Sequence, residues 1–266
     1  MYVASSRTDS VTAYAVATGE VAWRFFSNGP IRFAPFHRDG RLYFGSDDGS
    51  FYVLDAKSGK TLWTHAYDCP YSISYPNGPR CTPTIEGEHV FTLGSEGDLK
   101  CLQVADGNVV WSRSLQNDLN AEVPIWGFAS HPLVDGDLLY TMVGGDGQGV
   151  VAFDKRTGEV RWKALDAAAG YCPLSIIKVG KARQLIAFHP DAIVSLNPES
   201  GKQYWSVPMK PSYGMSISQP MVEGNRMYAS SIHNEAVLIE LATDQPAAPP
   251  QATAAAGVLT PLATSL

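Results

Sequence analysis

The segments VLDAKSGKTLW (53–63), AFDKRTGEVRW (152–162) and SLNPESGKQYW (195–205) share one pattern. In each, a short apolar run ends at Asp or Asn, a Ser-Gly or Thr-Gly pair follows, and a tryptophan comes four residues after the glycine. The tryptophan and its glycine occur five times in all, with the tryptophans 40–51 residues apart. The repeat anchors are Trp23, Trp63, Trp111, Trp162 and Trp205, with Gly19, Gly59, Gly107, Gly158 and Gly201. Such a period is typical of a repeat protein.

Local chemistry explains the pattern. Runs such as SFYVLD and VVAFD are short and rich in β-forming residues, so they are predicted to be strands. The glycine suits a tight turn, where its backbone takes a positive φ without a steric penalty. An Asp or Asn at the turn entry can accept hydrogen bonds from the next backbone amides. The following strand carries the tryptophan, whose ring buries about 150–250 Å² and suits a wedge between neighbouring sheets.

A proline marks the start of each unit. It precedes a Gly-led strand in segments such as TPTIEGEHVFTLGS and HPLVDGDLLYTMVG. Proline cannot donate to a strand ladder, so it belongs at a strand start or on an edge strand. Each unit is therefore predicted to have four strands, which is typical of a β-propeller blade. A parallel β-helix is the alternative, but its repeats are shorter. These prolines are Pro35, Pro83, Pro132, Pro173 and Pro220.

The sequence predicts an all-β protein with about six sheets. The four full units are assigned to residues 29–67, 78–116, 126–165 and 170–208. Partial units of three strands are assigned to residues 1–28 and 213–243, so repeats cover residues 1–243. Two interpretations stay open: a six-sheet ring with irregular closure, or an incomplete portion of a ring of seven or eight blades. Residues 244–266 are rich in Ala, Pro and Thr and are predicted to be a disordered tail.

Composition excludes some classes of function. Only 17% of the residues are charged and the net charge is −6, without a Lys/Arg run, so nucleic-acid binding is not expected. No apolar stretch is long enough for a membrane span. The first residues do not have the pattern of a signal peptide, and we expect a leader to be missing from this chain. Cys69 and Cys81 flank the longest loop, where an oxidising compartment would allow a disulfide.

The pattern Asp-x-x-(Ser/Thr)-Gly-x-x-x-Trp, present at Asp55–Trp63 and Asp154–Trp162, resembles the repeat of pyrroloquinoline-quinone-type propellers. That family includes quinoprotein alcohol dehydrogenases and the BamB type of outer-membrane assembly propeller. The resemblance covers residues 1–243 and implies an exported bacterial protein, periplasmic or extracellular. Because one fold hosts many activities, function has to be argued from a site.

Two functions follow from these observations. The first is a non-catalytic binding or scaffold module that contacts a protein, peptide or glycan through its axial face. The second is a dehydrogenase that uses pyrroloquinoline quinone with Ca²⁺ to oxidise an alcohol or polymer. The family's enzymes carry a vicinal cysteine pair and a Ca²⁺ site that this sequence does not show, so no catalytic residue, metal site or cofactor is predicted. The chain could also be a fragment that needs further blades.

Residues near the predicted inner strands are the candidates for ligand contact. Aromatic side chains together with arginine suit recognition of peptides, glycans or anionic molecules. The same side chains would also serve to pack the channel mouth. The candidates are Arg32, Arg80, Trp126, His131, Tyr171, Tyr213 and Gln219.

Overall fold

The computed structural model describes residues 1–75, 78–232, 236–243, 246 and 252–254. The described residues form six antiparallel sheets in chain order, here called sheets 1 to 6. Sheet 1 has three strands, and each of the other five sheets has four. The all-β propeller predicted from the repeat is confirmed.

The strands follow one another within each sheet in sequence order. Sheet 1 contains β1 (Tyr2–Ser5), β2 (Ser10–Tyr14) and β3 (Val21–Phe26). Sheet 2 contains β4 (Phe36–Arg38), β5 (Arg41–Gly45), β6 (Ser50–Asp55) and β7 (Thr61–Ala66). Sheet 3 contains β8 (Thr84–Glu86), β9 (His89–Leu93), β10 (Asp98–Gln103) and β11 (Val109–Ser114).

The second half of the chain repeats this arrangement. Sheet 4 contains β12 (Leu133–Asp135), β13 (Leu138–Met142), β14 (Val150–Asp154) and β15 (Val160–Ala164). Sheet 5 contains β16 (Ser175–Val179), β17 (Ala182–His189), β18 (Ala192–Leu196) and β19 (Gln203–Pro208). Sheet 6 contains β20 (Met221–Glu223), β21 (Arg226–Ser230), β22 (Ala236–Glu240) and β23 (Ala252–Ala254). A short helix α1 (Leu115–Leu119) follows sheet 3, and a 3₁₀ turn (Ser212–Gly214) precedes sheet 6.

Sheet 6 differs from the prediction. The sequence analysis gave residues 213–243 three strands and assigned all of 244–266 to a disordered tail. In the structure, β23 pairs antiparallel with β22, with Ala254 opposite Val237 and Ala252 opposite Ile239. This pairing uses backbone groups, so neither the Trp nor the turn glycine of the other units is needed to form it. Apart from residues 246 and 252–254, the tail lies outside the described residues.

Neighbouring sheets share hydrophobic cores. One cluster joins sheets 1 and 2 through Val11 and Phe44, and another joins sheets 2 and 3 through Val53 and Val90. A large cluster spans sheets 3, 4 and 5, and a fourth joins sheets 5 and 6. The sheets therefore stack face to face in sequence order, as blades of a propeller do.

Four of the repeat tryptophans reach across to the next sheet. The indole nitrogens of Trp63 and Trp111 donate to the carbonyl oxygens of Val104 and Lys155, each at 3.0 Å. Trp23 and Trp162 bond in the same way to Ala56 (3.2 Å) and Pro198 (3.0 Å).

The turn glycine of the next unit lies against the same ring. A Cβ placed on Gly107, for example, would lie 2.5 Å from Cε3 of Trp63. The same close approach occurs between Gly59 and Trp23, Gly158 and Trp111, and Gly201 and Trp162. The glycine therefore serves two purposes, a positive φ in its turn and room for a neighbouring ring.

Trp205 is the exception among the anchors. Its indole nitrogen donates to Oε1 of Gln184 within its own sheet, at 2.8 Å. The sequence after Trp205 has no further Gly-x-x-x-Trp motif, and none of the glycines that the structure describes lies against the Trp205 ring. Gln184 is 1% exposed and also accepts from the Ser195 hydroxyl. The indole nitrogen of Trp205 thus finds its hydrogen-bond acceptor within its own sheet, whereas the other four bond to the next sheet.

Candidate binding site on the axial face

The loop Tyr67–Cys81, between sheets 2 and 3, is hydrogen-bonded to a buried carboxylate. Glu96 is 4% exposed and accepts hydrogen bonds from the backbone nitrogens of Ser72 (2.6 Å) and Ile73 (3.2 Å). The hydroxyl of Ser72 also bonds to this carboxylate. Farther along, Ser95 donates to the carbonyl of Gly78 at 3.1 Å. These bonds hold the loop at Ser72, Ile73 and Gly78, next to the strands of sheet 3.

Segments that precede five inner strands converge on one cavity of about 490 Å³. They lead into β4, β8, β12, β16 and β20, which begin the five four-stranded sheets. Prolines end four of these segments at the strand start, consistent with an edge position. Contributions from five successive sheets place the cavity at the propeller axis. Its lining residues are Phe33, Arg80, Cys81, Thr82, Trp126, Ala129, His131, Tyr171, Pro173, Met215 and Ile217.

An aromatic cluster lies at this cavity. The rings of Trp126 and Tyr171 meet edge to face with centroids 5.6 Å apart, and Tyr75 packs on Trp126 at 6.2 Å. Edge-to-face contacts of this kind fix ring orientation. Tyr75 is 44% exposed, and Ile217 on another wall is 50% exposed. The cavity therefore presents rigid aromatic and aliphatic surface to solvent.

The polar groups at the cavity are few. Arg80 donates to the hydroxyl of Tyr71 at 3.1 Å, which ties the guanidinium to the loop. Burial lowers the pKa of His131 from its ordinary value of 6.5, because desolvation disfavours the imidazolium form. Burial raises the pKa of Tyr171, so its phenol stays neutral. At neutral pH, Arg80 is thus the charged side chain among the lining residues.

The structure brings together four of the seven side chains that the sequence singled out. Arg80, Trp126, His131 and Tyr171 line the cavity. The other three, Arg32, Tyr213 and Gln219, are not among its lining residues. Arg32 forms an ion pair with Asp47 at 2.6 Å, Tyr213 is 80% exposed at a φ of 57°, and Gln219 is exposed.

Sequence reasoning missed the apolar walls of the cavity. Phe33, Ala129, Met215 and Ile217 lie two to five residues before the prolines that mark the inner strands. That spacing was the available signal. Isolated apolar residues in loops are common, however, and do not point to a site by themselves.

The cavity does not offer the ligands that Ca²⁺ requires. Ca²⁺ is bound by about six to eight oxygen atoms, largely from carboxylates, and no Asp or Glu lines this cavity. Within the described ranges, no group of three or more His, Cys, Asp or Glu side chains is placed to hold a metal ion. The residues present therefore do not fit a quinone–calcium centre, and no chemical step is derived through one.

The thiols of Cys69, Cys81, Cys101 and Cys172 are free. The search for a helix that could span a bilayer, made over the part of the chain that the structure describes, found none.

Comparison with known proteins identifies the repeat. A family described as "Outer membrane protein assembly factor BamB" matches residues 1–74 and 72–264. The chain belongs to this family. The resemblance drawn from the Asp-to-Trp pattern is thereby confirmed.

The BamB-family chain is similar to both kinds of propeller that the repeat suggested. It is 26% identical to the outer membrane protein assembly factor BamB of Burkholderia pseudomallei over 189 residues, 68% of this chain and 43% of that protein. It is 26% identical to the quinoprotein alcohol dehydrogenase PedH of Pseudomonas putida over 159 residues, 56% of this chain and 25% of that enzyme. The chain thus spans less than half the length of these curated relatives.

A solved structure supports the same fold. BamB from Moraxella catarrhalis superposes with a TM-score of 0.71 at 17% identity, over 95% of this chain and 72% of that one. At this identity the likeness concerns the fold and not the ligand.

Proposed function

We propose that this chain is a protein-binding module of an exported assembly factor and that it holds a polypeptide partner at its axial cavity. The observation that carries the proposal is the convergence of segments from five sheets on Trp126 and Tyr171. Trp126 and Tyr171 are partly buried and share the cavity with Arg80, and aromatic residues together with arginine are enriched at the centres of protein interfaces. The names of the BamB relatives, which are assembly factors, point the same way.

The proposal is tested by site-specific photocrosslinking in intact cells. Benzoylphenylalanine at Ile217, on the cavity wall, is compared with the same group at Val160, which lies on β15 and is 41% exposed. We expect a discrete protein adduct at position 217 that is absent at 160 and is lost when Trp126→Ala is added. Equal protein adducts at both positions, or no protein adduct at position 217, would contradict a protein site on the axis. A glycan partner would give no protein adduct.

Export is a separate part of the proposal. It rests on the relatives named as outer-membrane assembly factors. Fractionation of cells that express the full-length gene product tests it, and we expect the protein in the periplasmic or extracellular fraction. Recovery in the cytoplasmic fraction alone would overturn export while leaving the axial binding site open to the crosslinking test.

The quinone-dependent alternative is supported by the likeness to PedH. The lining of the axial cavity argues against a quinone–Ca²⁺ centre there, because Arg80 and His131 cannot replace the carboxylates of a Ca²⁺ site. The binding role is therefore the function that the geometry supports best.

A further inference from the structure

A second cavity, of about 240 Å³, lies between sheets 2 and 3 beneath the Tyr67–Cys81 loop. One part of the lining is the β5–β6 turn with Asp47 and Asp48, and another is Leu93, the last residue of β9, with Ser95 in the turn that follows. Cys81 borders both this cavity and the axial one. The proposed protein-binding role does not use this space, so its own ligand has to be sought from its lining.

The lining combines acidic and aromatic side chains. Two carboxylates, of Asp47 and Asp48, and four rings, of Phe51, His65, Tyr67 and Tyr71, border the cavity, whereas no Lys or Arg does. Neutral and apolar residues such as Pro79, Pro83 and Leu93 make up much of the rest.

Both carboxylates are held in place. The Asp47 side chain is 9% exposed and pairs with Nε of Arg32 at 2.6 Å. Asp48 accepts hydrogen bonds from the backbone nitrogens of Asn28 and Ser50 and from the hydroxyl of Tyr52 at 2.7 Å. These donors orient the carboxylates before any ligand arrives, which reduces the cost of ordering them on binding.

The rings at the cavity carry no positive charge of their own. Burial, together with the nearby Lys100 ammonium, lowers the pKa of His65, so its imidazole is neutral at neutral pH. Its Nε2 atom is buried without a hydrogen-bond partner among the described residues. The centroids of His65 and Tyr67 are 5.9 Å apart, so the two rings form one continuous aromatic wall.

The Tyr67 ring already contacts one ammonium group, that of Lys100. Nζ of Lys100 lies 4.3 Å from the centroid of the Tyr67 ring and is also bonded to the Ser112 hydroxyl. Asp98 and Glu96 lie on that side of the loop and offset the charge of Lys100. The cations nearest to the cavity are thus engaged, since Arg32 pairs with Asp47 and Arg80 bonds to Tyr71.

We propose that this cavity, which is lined by the carboxylates of Asp47 and Asp48 and by aromatic side chains, is a binding site for a small organic ammonium ion. Aromatic rings attract ammonium and quaternary ammonium groups through the negative potential of their faces, and nearby carboxylates add to that attraction. The volume of about 240 Å³ is below the roughly 300–1,000 Å³ of sites for drug-sized ligands, which restricts the ligand to a compact ion.

The test uses choline and its uncharged isostere 3,3-dimethylbutan-1-ol, each titrated into the unmodified chain by isothermal titration calorimetry. The two molecules share shape and hydroxyl group and differ in the charge of the central atom. We expect saturable one-to-one binding of choline that is about tenfold or more tighter than binding of the alcohol, since the cationic attraction is the main term. Equal affinities, or no saturation at tens of millimolar choline, would overturn the proposal.

A pair of variants locates the charge effect. Asp47→Asn keeps an acceptor for Arg32 but removes the negative charge, and we expect it to weaken choline binding several-fold. Asp137→Asn is the matched control, because that side chain is 77% exposed and lies on sheet 4, away from the cavity. An equal choline affinity in both variants would contradict the role of Asp47. Loss of choline binding would leave the axial crosslinking result unaffected, so the two proposals fail separately.

Discussion

The carboxylate of Glu96 lies 2.6 Å from the backbone nitrogen of Ser72, in a contact that joins the β9–β10 turn to the Tyr67–Cys81 loop. The same carboxylate accepts from the backbone of Ile73 and from the side chain of Gln116. One buried acid thus fixes a loop that borders both cavities. A buried charge that is satisfied in this way becomes costly when its partners, or the acid itself, are removed.

Replacement of Glu96 should release this loop. In Glu96→Ala the amide groups of Ser72 and Ile73 lose their acceptor, and we expect a loss on the order of 2–3 kcal/mol in the free energy of unfolding. Limited proteolysis should cut the variant between residues 67 and 81 well before the wild-type chain. Glu88→Ala, at an exposed turn of the same sheet, is the control and should cleave at the wild-type rate. Equal rates for the two variants would show that Glu96 does not hold the loop.

The contact between Gly107 and Trp63 predicts a difference between two glycine substitutions. Gly87 and Gly107 both have positive φ, but a Cβ on Gly87 would meet nothing within 4 Å, whereas one on Gly107 would meet the ring of Trp63 at 2.5 Å. We expect Gly87→Ala to cost about 1–2 kcal/mol from backbone strain alone. Gly107→Ala should cost about 1–3 kcal/mol more, because the ring must move. Urea unfolding measures both, and equal costs would contradict the packing role of Gly107.

The buried imidazole of His131 predicts a pH dependence of stability. Its pKa is lowered in the folded state, so the unfolded chain takes up the proton first as the pH falls. The contribution of the neutral His131 to the free energy of unfolding is fully present above about pH 6.5, the pKa of the unfolded chain. It is lost as the pH falls from there through the lower pKa of the folded state. In His131→Gln, the urea midpoint should therefore fall less between neutral and mildly acidic pH than in the wild type. Parallel pH profiles would show that His131 does not contribute.

The thiols should react slowly in the folded protein. Burial raises the pKa of Cys69 to about 11 and that of Cys81 to about 12, and Asp98 adds to the effect at Cys69. Because the thiolate is the reactive form, we expect little reaction with Ellman's reagent at neutral pH. After unfolding in urea, all four thiols should react. Fewer than four reactive thiols after unfolding without reductant would reveal a disulfide. If Cys69 takes part in it, Cys69→Ser would free the partner cysteine, which would then react.

Titration with pyrroloquinoline quinone and Ca²⁺ tests the enzymatic alternative directly. We expect no saturable quenching of tryptophan fluorescence and no dye-linked alcohol oxidation, because the axial cavity lacks a carboxylate wall. Trp126 lies in that cavity, so a bound quinone would quench it. Saturable quenching that disappears in Trp126→Phe, together with turnover, would replace the binding role with catalysis.

The repeat was predictable because its signals are local. The glycine, the strand that follows and the tryptophan lie within a few residues, so each turn and its strand pair can be inferred from one segment. The recurring β-bulge was not predicted, although it lies beside every anchor: Trp63, for example, pairs with Val53 where the register shifts before Leu54. A bulge changes backbone register without requiring a particular side chain, so the sequence carries little trace of it.

The candidate sites depend on contacts between distant residues. Trp126 and Tyr171 could be proposed from their positions near inner strands, but their ring contact and the apolar wall around them required the fold. The acidic cavity was missed entirely, because Asp47 and Tyr67 belong to different elements, and an Asp-Gly pair such as Asp48–Gly49 is common in an ordinary hairpin turn. Glu96 was missed for the same reason, since its partners Ser72, Ile73 and Gln116 are at least 20 residues away.

The contact of a tryptophan with the turn glycine of the next unit, which four of the five repeat tryptophans make, also bears on how such chains evolve. A unit that runs from one turn glycine through its own tryptophan contributes the glycine to the joint before it and the ring to the joint after it. An in-frame duplication or deletion of one whole unit keeps a ring and a glycine at each of these four kinds of joint, whereas loss of a glycine-bearing turn alone leaves a ring facing a side chain. Recombination at the unit boundary is therefore the tolerated event, and blade number can change among relatives while the joint stays the same.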